Sequence, residues 1–328
     1  MRKKVILMKA TDIGKVACVG GGLIGASWAL NFAMKGYPVN LFDISPAAIE
    51  TAKANIRKNF EVLQANGILD KKACIDAETL ISYTTSLGEA VREVQFIQEA
   101  GPENYEAKQK ILAEIEKFTP ATTIIASSTS GLLISEIAKF AAHPERCIGA
   151  HPYNPPHIIP LVEITKGAKS SEEAVRCAYD FYTALGKEPV VLQKEALGFI
   201  ANRIQIALYR EAVNLVERGI CTVEDVDKAI TFGPGLRWAV MGPNLLFQLG
   251  GGPHGIKGLL THMGPSTELW MADMATWNTY PPGWYDKAQE GVNREMANRP
   301  AEFGRTPEEI AAFRDRLMLE ILKLHKKL

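Results

Sequence analysis

Lys15-Val16-Ala17-Cys18-Val19-Gly20-Gly21-Gly22-Leu23-Ile24-Gly25 is a short apolar, β-rich run that closes on a string of glycines. Gly20, Gly22 and Gly25 satisfy the spacing G-x-G-x-x-G. Alone that spacing is weak evidence, because glycine-rich strings are common. Its context gives it weight: it ends a predicted strand and opens a predicted helix running to about Lys35. Gly20 allows a tight turn, and Gly22 lets a pyrophosphate approach the backbone. Leu23 and Ile24 carry the chain into the helix, and Gly25 lets that helix pack close to the strand. The helix N-terminus then faces the phosphates. An acidic residue is expected about 20 positions on, at the end of the second strand. Asp43 stands there, closing Pro38–Asp43. Its carboxylate would accept from a ribose 2′-OH and repel a 2′-phosphate, which favours NAD over NADP. FAD is the rival ligand, and a tight turn without ligand is the bland alternative.

No charge occurs between Lys15 and Lys35, a length that would span a bilayer. The clustered glycines and Asn31 argue instead for a buried strand, a turn and an apolar helix, so no membrane segment is expected. Met1-Arg2-Lys3-Lys4 resembles the start of a signal peptide, but the apolar stretch Val5–Met8 is cut by Lys9 and is too short.

Outward from this turn, short β-rich runs alternate with helical patterns. Strands are expected at Lys15–Gly20, Pro38–Asp43, Val94–Gln98, Thr122–Ala126, Cys147–Ala150, Leu161–Ile164 and Pro189–Leu192. Helices are expected at 47–64, 103–118, 132–141 and up to Leu185. This alternation predicts a Rossmann-type, doubly wound parallel sheet. After about residue 195 the β signal stops. Phe199–Arg218 reads as a long helix, Thr222 caps a short one, Gly233-Pro234-Gly235 marks a turn, and Thr306 caps a last helix. The expected organisation is an NAD-binding domain over 1–194 and an all-α domain over 195–328. The terminal run Lys323–Leu328 reads as a solvated helix end.

The chain has 328 residues, and at roughly 150 residues per domain that length fits two domains. Lys plus Arg and Asp plus Glu are 37 each, so the surplus of cations that nucleic-acid binding needs is missing. Hydrophobic residues make up 47% and charged residues 23%, which excludes a disordered or fibrous chain. Cys18, Cys74, Cys147, Cys177 and Cys221 are odd in number and scattered. They suggest neither a zinc site nor a disulfide framework, but buried thiols in a reducing, cytoplasmic setting.

His151 follows a predicted strand in Gly149-Ala150-His151-Pro152-Tyr153-Asn154-Pro155-Pro156, and Glu163 lies on the next. The prolines force a turn between them. A carboxylate on an apolar strand needs a partner, and a His–Glu pair suits general acid–base chemistry. Judged by spacing alone, a structural histidine fits as well.

Five motifs together resemble the L-3-hydroxyacyl-CoA dehydrogenase superfamily over nearly the whole chain: Gly20–Gly25 with Asp43; Glu103-Asn104 with Lys108; Ser127–Ser130; His151–Pro155 with Glu163; and Gly198–Arg203. The resemblance implies that His151 is the acid/base, Glu163 its partner, and Ser130 and Asn202 the hydrogen-bonders of the reacting oxygen. Glu103, Lys108 and Asn154 are implied near the cofactor. Each has a plainer reading: Ser130 as a helix cap, Asn202 as a surface amide, Glu103 and Lys108 as a helix-face pair. No metal is implied, and the helical domain is implied to form a homodimer.

Within that family, Gly233–Pro243 is longer than the string typical of acyl-CoA members and contains Arg237. It looks like the branch acting on free 3-hydroxy acids, the L-carnitine and L-gulonate 3-dehydrogenases (λ-crystallin-like). Arg237 offers a planar fork for a carboxylate, with Trp238 beside it. A structural ion pair is the alternative for Arg237. Leu245–Gly252 and Gly255-Ile256 resemble the carnitine branch, and Trp238, Trp270, Trp277 and Trp284 are candidates for a trimethylammonium site or simply core. Phe199–Arg203 reads more like the gulonate and acyl-CoA members, so the substrate stays open. A CoA thioester is the alternative substrate. A crystallin-like structural role is the remote one, opposed by the intact Ser130, His151, Glu163 and Asn202.

Overall fold

The computed structural model describes residues 8–328, so the charged start Met1–Lys4 and most of Val5–Met8 lie outside the described residues. Among the described residues eight strands form one sheet: β1 (Val16–Val19), β2 (Val39–Phe42), β3 (Ile81–Thr84), β4 (Phe96–Glu99), β5 (Ile124–Ser127), β6 (Cys147–Pro152), β7 (Leu161–Lys166) and β8 (Glu188–Val191). Their order is β3-β2-β1-β4-β5-β6-β7-β8. The chain reverses direction across the sheet between β1 and β4, where doubly wound sheets bind ligands at the carboxyl ends of the strands.

Seven helices pack with these strands: α1 (Leu23–Met34), α2 (Pro46–Ala65), α3 (Lys71–Thr79), α4 (Leu87–Val91), α5 (Tyr105–Glu116), α6 (Ile134–Ile137) and α7 (Glu172–Ala184). The uncharged run of the sequence is β1, a turn and α1, whose residues Gly25–Ala33 are all buried. Trp28 and Phe32 of α1 stack at 5.3 Å, and Phe32 stacks on Phe181 of α7 at 5.8 Å. Each large apolar side chain buried this way contributes about 1.5–3 kcal/mol. A second apolar cluster on Ala17, Val19, Ile97, Leu112 and Ile125 covers the other face. Among the described residues no helix is long and apolar enough to cross a membrane.

Three details differ from the expectation. β3 carries no clear periodic signal in Ile81-Ser82-Tyr83-Thr84; it forms because it pairs with β2 at the sheet edge. The helix expected at 132–141 is the single turn α6. The β6–β7 pair is antiparallel, because the segment 153–160 is too short for the crossover of a dozen or more residues that a parallel pair needs.

Seven more helices follow: α8 (Ala201–Glu217), α9 (Val223–Phe232), α10 (Pro234–Trp238), α11 (Pro243–Gly250), α12 (Gly255–Asp273), α13 (Trp284–Asn298) and α14 (Pro307–Leu324). Thr222 caps α9 in a capping box with Asp225, and Thr306 pairs likewise with Glu309. At Gly233-Pro234-Gly235 the turn is brief, and Pro234 already starts α10. The chain divides into two compact units. One runs to Arg203 and includes Met318–Leu328; the other is Ile204–Leu317. Leu319 is fully buried in the core around α1, and Lys327 pairs with Glu188. Lys323–Leu328 are all exposed, as expected of a solvated helix end, while the helix before them is anchored in the sheet unit through Leu319. The second unit has its own small core of Ala212, Val213, Val216, Val226 and Trp284.

Candidate active site

His151 and Glu163 are register partners across the antiparallel β6–β7 pair. The His151 ring meets Glu163 at Nδ1···Oε2 2.8 Å, and both side chains are buried. The other carboxylate oxygen, Oε1, accepts from the backbone N–H groups of Ile200 at 2.8 Å and Ala201 at 2.9 Å, at the start of α8. Burial pushes the Glu163 pKa up. The bonds from His151, Ala201 and Ile200, with the attraction of the imidazole, outweigh it and hold the carboxyl below its ordinary range. The pair therefore sits as a buried anion against an imidazole, suited to hold one tautomer and to stabilise the ring when it gains a proton.

Phe199 closes over this pair. Its ring lies 5.7 Å from the imidazole, and it is buried with φ +52°. A bulky residue in that left-handed region is strained by about 1–3 kcal/mol and persists only where its surroundings impose it. Here the burial of its ring and the two N–H bonds of the next residues to Glu163 impose it.

Ser130, exposed, lies in the loop after β5. The amide of Asn202 donates to its C=O at 2.9 Å, and its own N–H donates to Glu103 Oε1 at 2.7 Å. Ser130 is not a helix cap: α6 starts four residues later behind Leu133, and the Leu132 N–H goes to Thr129 Oγ1 at 3.0 Å. Nor is Lys108 one half of an exposed helix-face pair. Its Nζ is buried and donates to both oxygens of Glu99, at 3.0 and 3.1 Å, with Glu103 Oε2 at 3.5 Å. Glu99 also accepts from the Gly101 N–H at 2.6 Å and from Ser127 Oγ at 2.5 Å. Glu99 was missed by the sequence reading. Its only sequence signal is a carboxylate ending a strand of otherwise buried residues, which demands a buried cation. Gln98 was missed too; it bonds Ser128 Oγ at 2.7 Å and the Ala150 C=O at 3.4 Å, beside His151.

The glycine turn has the shape that a dinucleotide needs. Gly20 has φ +105°, and a Cβ there would meet the Ala100 C=O at 2.6 Å. At Gly25 a Cβ would lie 1.8 Å from the Gly20 oxygen, so α1 packs against the turn through a bare Cα. At Gly22 a Cβ would meet nothing within 4 Å; this glycine keeps an open approach clear. No side chain caps α1, so the N–H groups of its first turn, including those of Leu23 and Ile24, are left for an anion. Asp43 is pinned at the end of β2 by the N–H groups of Gly21 at 2.7 Å and Ile44 at 2.6 Å. An anionic ligand with ribose hydroxyls fits this set. Asn154 is exposed in the β6–β7 loop.

Arg237 and Trp238 lie on α10 in the second unit, and both are exposed. The tryptophans have different fates. Trp284 is core and donates Nε1–H to the Tyr209 hydroxyl at 3.2 Å. Trp277 packs on Tyr280 at 6.0 Å, and Tyr280 on Tyr209 at 6.1 Å. Trp270, like Trp238, is exposed. Among the described residues no three His, Cys, Asp or Glu side chains gather to hold a metal ion.

Residues 15–196 match the 3-hydroxyacyl-CoA dehydrogenase NAD binding domain, and residues 198–283 match the C-terminal domain of the same enzymes. The chain belongs to the 3-hydroxyacyl-CoA dehydrogenase family. It is 40% identical over 313 residues to an L-carnitine dehydrogenase of Streptomyces griseus, covering 95% of this chain and 90% of that protein. A crystal structure of 5-formyl-3-hydroxy-2-methylpyridine 4-carboxylic acid 5-dehydrogenase, an NAD+-dependent dismutase, is 31% identical. It superposes with a TM-score of 0.79 over 96% of this chain and 98% of that one. The (S)-3-hydroxybutyryl-CoA dehydrogenase of Ralstonia eutropha is 28% identical, with a TM-score of 0.65 over 87% and 94% of the two chains. Family membership and the glycine turn make this protein an NAD-dependent oxidoreductase.

Proposed function

We propose that this enzyme interconverts a free L-3-hydroxy carboxylic acid and its 3-keto acid, with His151 as acid/base. The observation that carries this reading is the buried His151–Glu163 pair, whose carboxylate leaves the far ring nitrogen as the one that exchanges a proton. Bound NAD supplies the hydride acceptor. The turn Gly20–Gly25 and Asp43 hold the dinucleotide, Glu103 and Lys108 lie near its nicotinamide end, and Asn154 is a further cofactor contact. In oxidation His151 takes the proton of the 3-hydroxyl, and Glu163 stabilises the imidazolium. Ser130 and Asn202 steady the oxygen as charge grows on it. In reduction the proton returns by the same path.

A free acid is favoured over a thioester because Arg237 supplies an exposed guanidinium fork. Carnitine and the pyridine carboxylic acid named for two of the relatives are also free carboxylates. The thioester named for the Ralstonia enzyme supports the second reading. Purified enzyme with NAD and carnitine, L-gulonate, 3-hydroxybutyrate or its CoA ester separates them. Turnover is expected on a free acid. Preference for the CoA ester makes this a 3-hydroxyacyl-CoA dehydrogenase, and inactivity on all four overturns both substrate readings.

The working form in this reading is a homodimer joined through the helical unit. That unit exposes Phe232, Leu245, Leu249, Leu269, Trp270 and Met271, apolar side chains that a partner would cover. Light scattering is expected to give twice the 36.0 kDa chain mass.

A further inference from the structure

The loop that joins β6 to β7 is gripped by side chains that no step above uses. His157, buried on that loop, has Nδ1 2.7 Å from Ser27 Oγ. Its backbone N–H donates to the same oxygen at 2.9 Å. The Ser27 oxygen has a second lone pair and one hydroxyl proton, so it bonds Nδ1 in either neutral tautomer of the ring. Burial, and then the neighbouring Lys187 ammonium, push its pKa down to about 4, so the ring is neutral near pH 7.

Ser27 belongs to α1, two residues beyond Gly25, and is itself buried. Lys187, also buried, donates to the C=O groups of Pro156 and Ile159, the latter at 3.2 Å. Its Nζ stands 5.4 Å from the centre of the Trp28 ring, next to Ser27 in α1. The loop is therefore held at 156, 157 and 159 between the dinucleotide helix and the segment that leads into β8. The same loop ends the strand that carries His151 and begins the strand that carries Glu163.

We propose that His157, bonded to Ser27, is a positioning residue that ties the β6–β7 hairpin to the dinucleotide helix. The bridge holds the His151–Glu163 pair in place relative to a cofactor seated on the glycine turn. The inference rests on the reading of His151 as acid/base. A tie of this kind matters because a misplacement of about 1 Å costs about 100-fold in rate, and an eight-residue loop supplies no such rigidity by itself. Leucine at 157 keeps the bulk and loses the bond; asparagine keeps an acceptor close to the place of Nδ1.

The test compares Ser27→Ala, His157→Leu, His157→Asn and Ser27→Ala/His157→Leu in the full-length enzyme. Four readouts are taken: kcat on the substrate found in the panel, NADH affinity by fluorescence titration, melting temperature, and amide hydrogen exchange over 153–160. Ser27→Ala and His157→Leu are each expected to lower kcat about 10- to 100-fold and speed exchange in the loop, with NADH affinity within about threefold. The double variant is expected to lose no more than either single one, and His157→Asn to recover most of the rate. Should kcat per folded molecule and loop exchange stay at wild-type level while the melting temperature drops, the bridge is structural only and the proposal fails. Fully additive losses overturn it as well. If His157→Leu does not fold, Ser27→Ala and His157→Asn still decide the matter. Retained turnover in His151→Gln would sink the acid/base reading instead, and so stands apart from these outcomes.

Discussion

Glu163 faces His151 directly across two antiparallel strands and spends its other oxygen on the N–H groups of Ile200 and Ala201. One carboxylate thus locks both an imidazole and the entry of α8. His151→Gln removes the titrating group but keeps a side chain able to bond Glu163. Turnover is expected to fall about 100- to 10,000-fold, while NADH titration is unchanged. Loss of NADH binding would make His151 structural.

Glu163→Gln keeps the geometry and removes the charge. Turnover is expected to fall about 100-fold or more as the imidazolium loses its anion. The native Glu163 pKa is depressed. Its contribution to stability is therefore present above the ordinary carboxylate pKa and is lost as pH falls through the lower native value. Urea midpoints across the acid range should drop more steeply for wild type than for Glu163→Gln. Parallel curves would count against the paired anion.

Substitutions at Gly22 and Gly25 are expected to separate cofactor contact from folding. A Cβ at Gly25 collides with the Gly20 carbonyl, whereas one at Gly22 meets nothing. Gly25→Ala is expected to lower the melting temperature by several degrees, as a clash costing about 1–3 kcal/mol does. Gly22→Ala is expected to melt like wild type and bind NADH at least about tenfold more weakly. Wild-type NADH affinity in Gly22→Ala would remove this turn from the binding site.

Asp43→Ser takes away a fixed negative charge at the end of β2. The ratio of NAD to NADP use, measured as kcat/KM, is expected to fall about tenfold or more. An unchanged ratio means that another group sets the preference.

Lys187 is pushed down to about 7 from 10.5 by burial and by the charge of Lys35. Between those two values the unfolded chain holds one proton more than the native state. Native stability therefore rises with pH across that window. Lys187→Met is expected to flatten the rise, read as urea midpoints at about pH 6.5 and 9.5. An equal slope in the variant would place the dependence elsewhere.

Much of the fold is legible in local chemistry. Glycine spacing, the terminal Asp43 and the alternation of β and helical patterns depend on near neighbours. β3 was illegible because Ile81–Thr84 owes its strand to β2, not to its own pattern. The reversal at β7 follows from a short loop, which sequence shows only as a cluster of prolines. In the site, His151 and Glu163 stand out as polar residues on apolar strands. Gln98 and His157 do not, because each is defined by a partner 30 or 130 positions away.

The order of residues alone determined a tight glycine turn between strand and helix at Gly20–Gly25, a β/α first half and a helical second half. These follow from backbone sterics and hydrophobic periodicity, which act over a few residues. Only the tertiary structure decided that Lys108 serves Glu99, that Phe199 is held in a left-handed conformation over His151, and that the chain's last turns return to the first core. Those arrangements arise where buried charges and apolar faces must find partners, and which partner is within reach is set by how the sheet is wound.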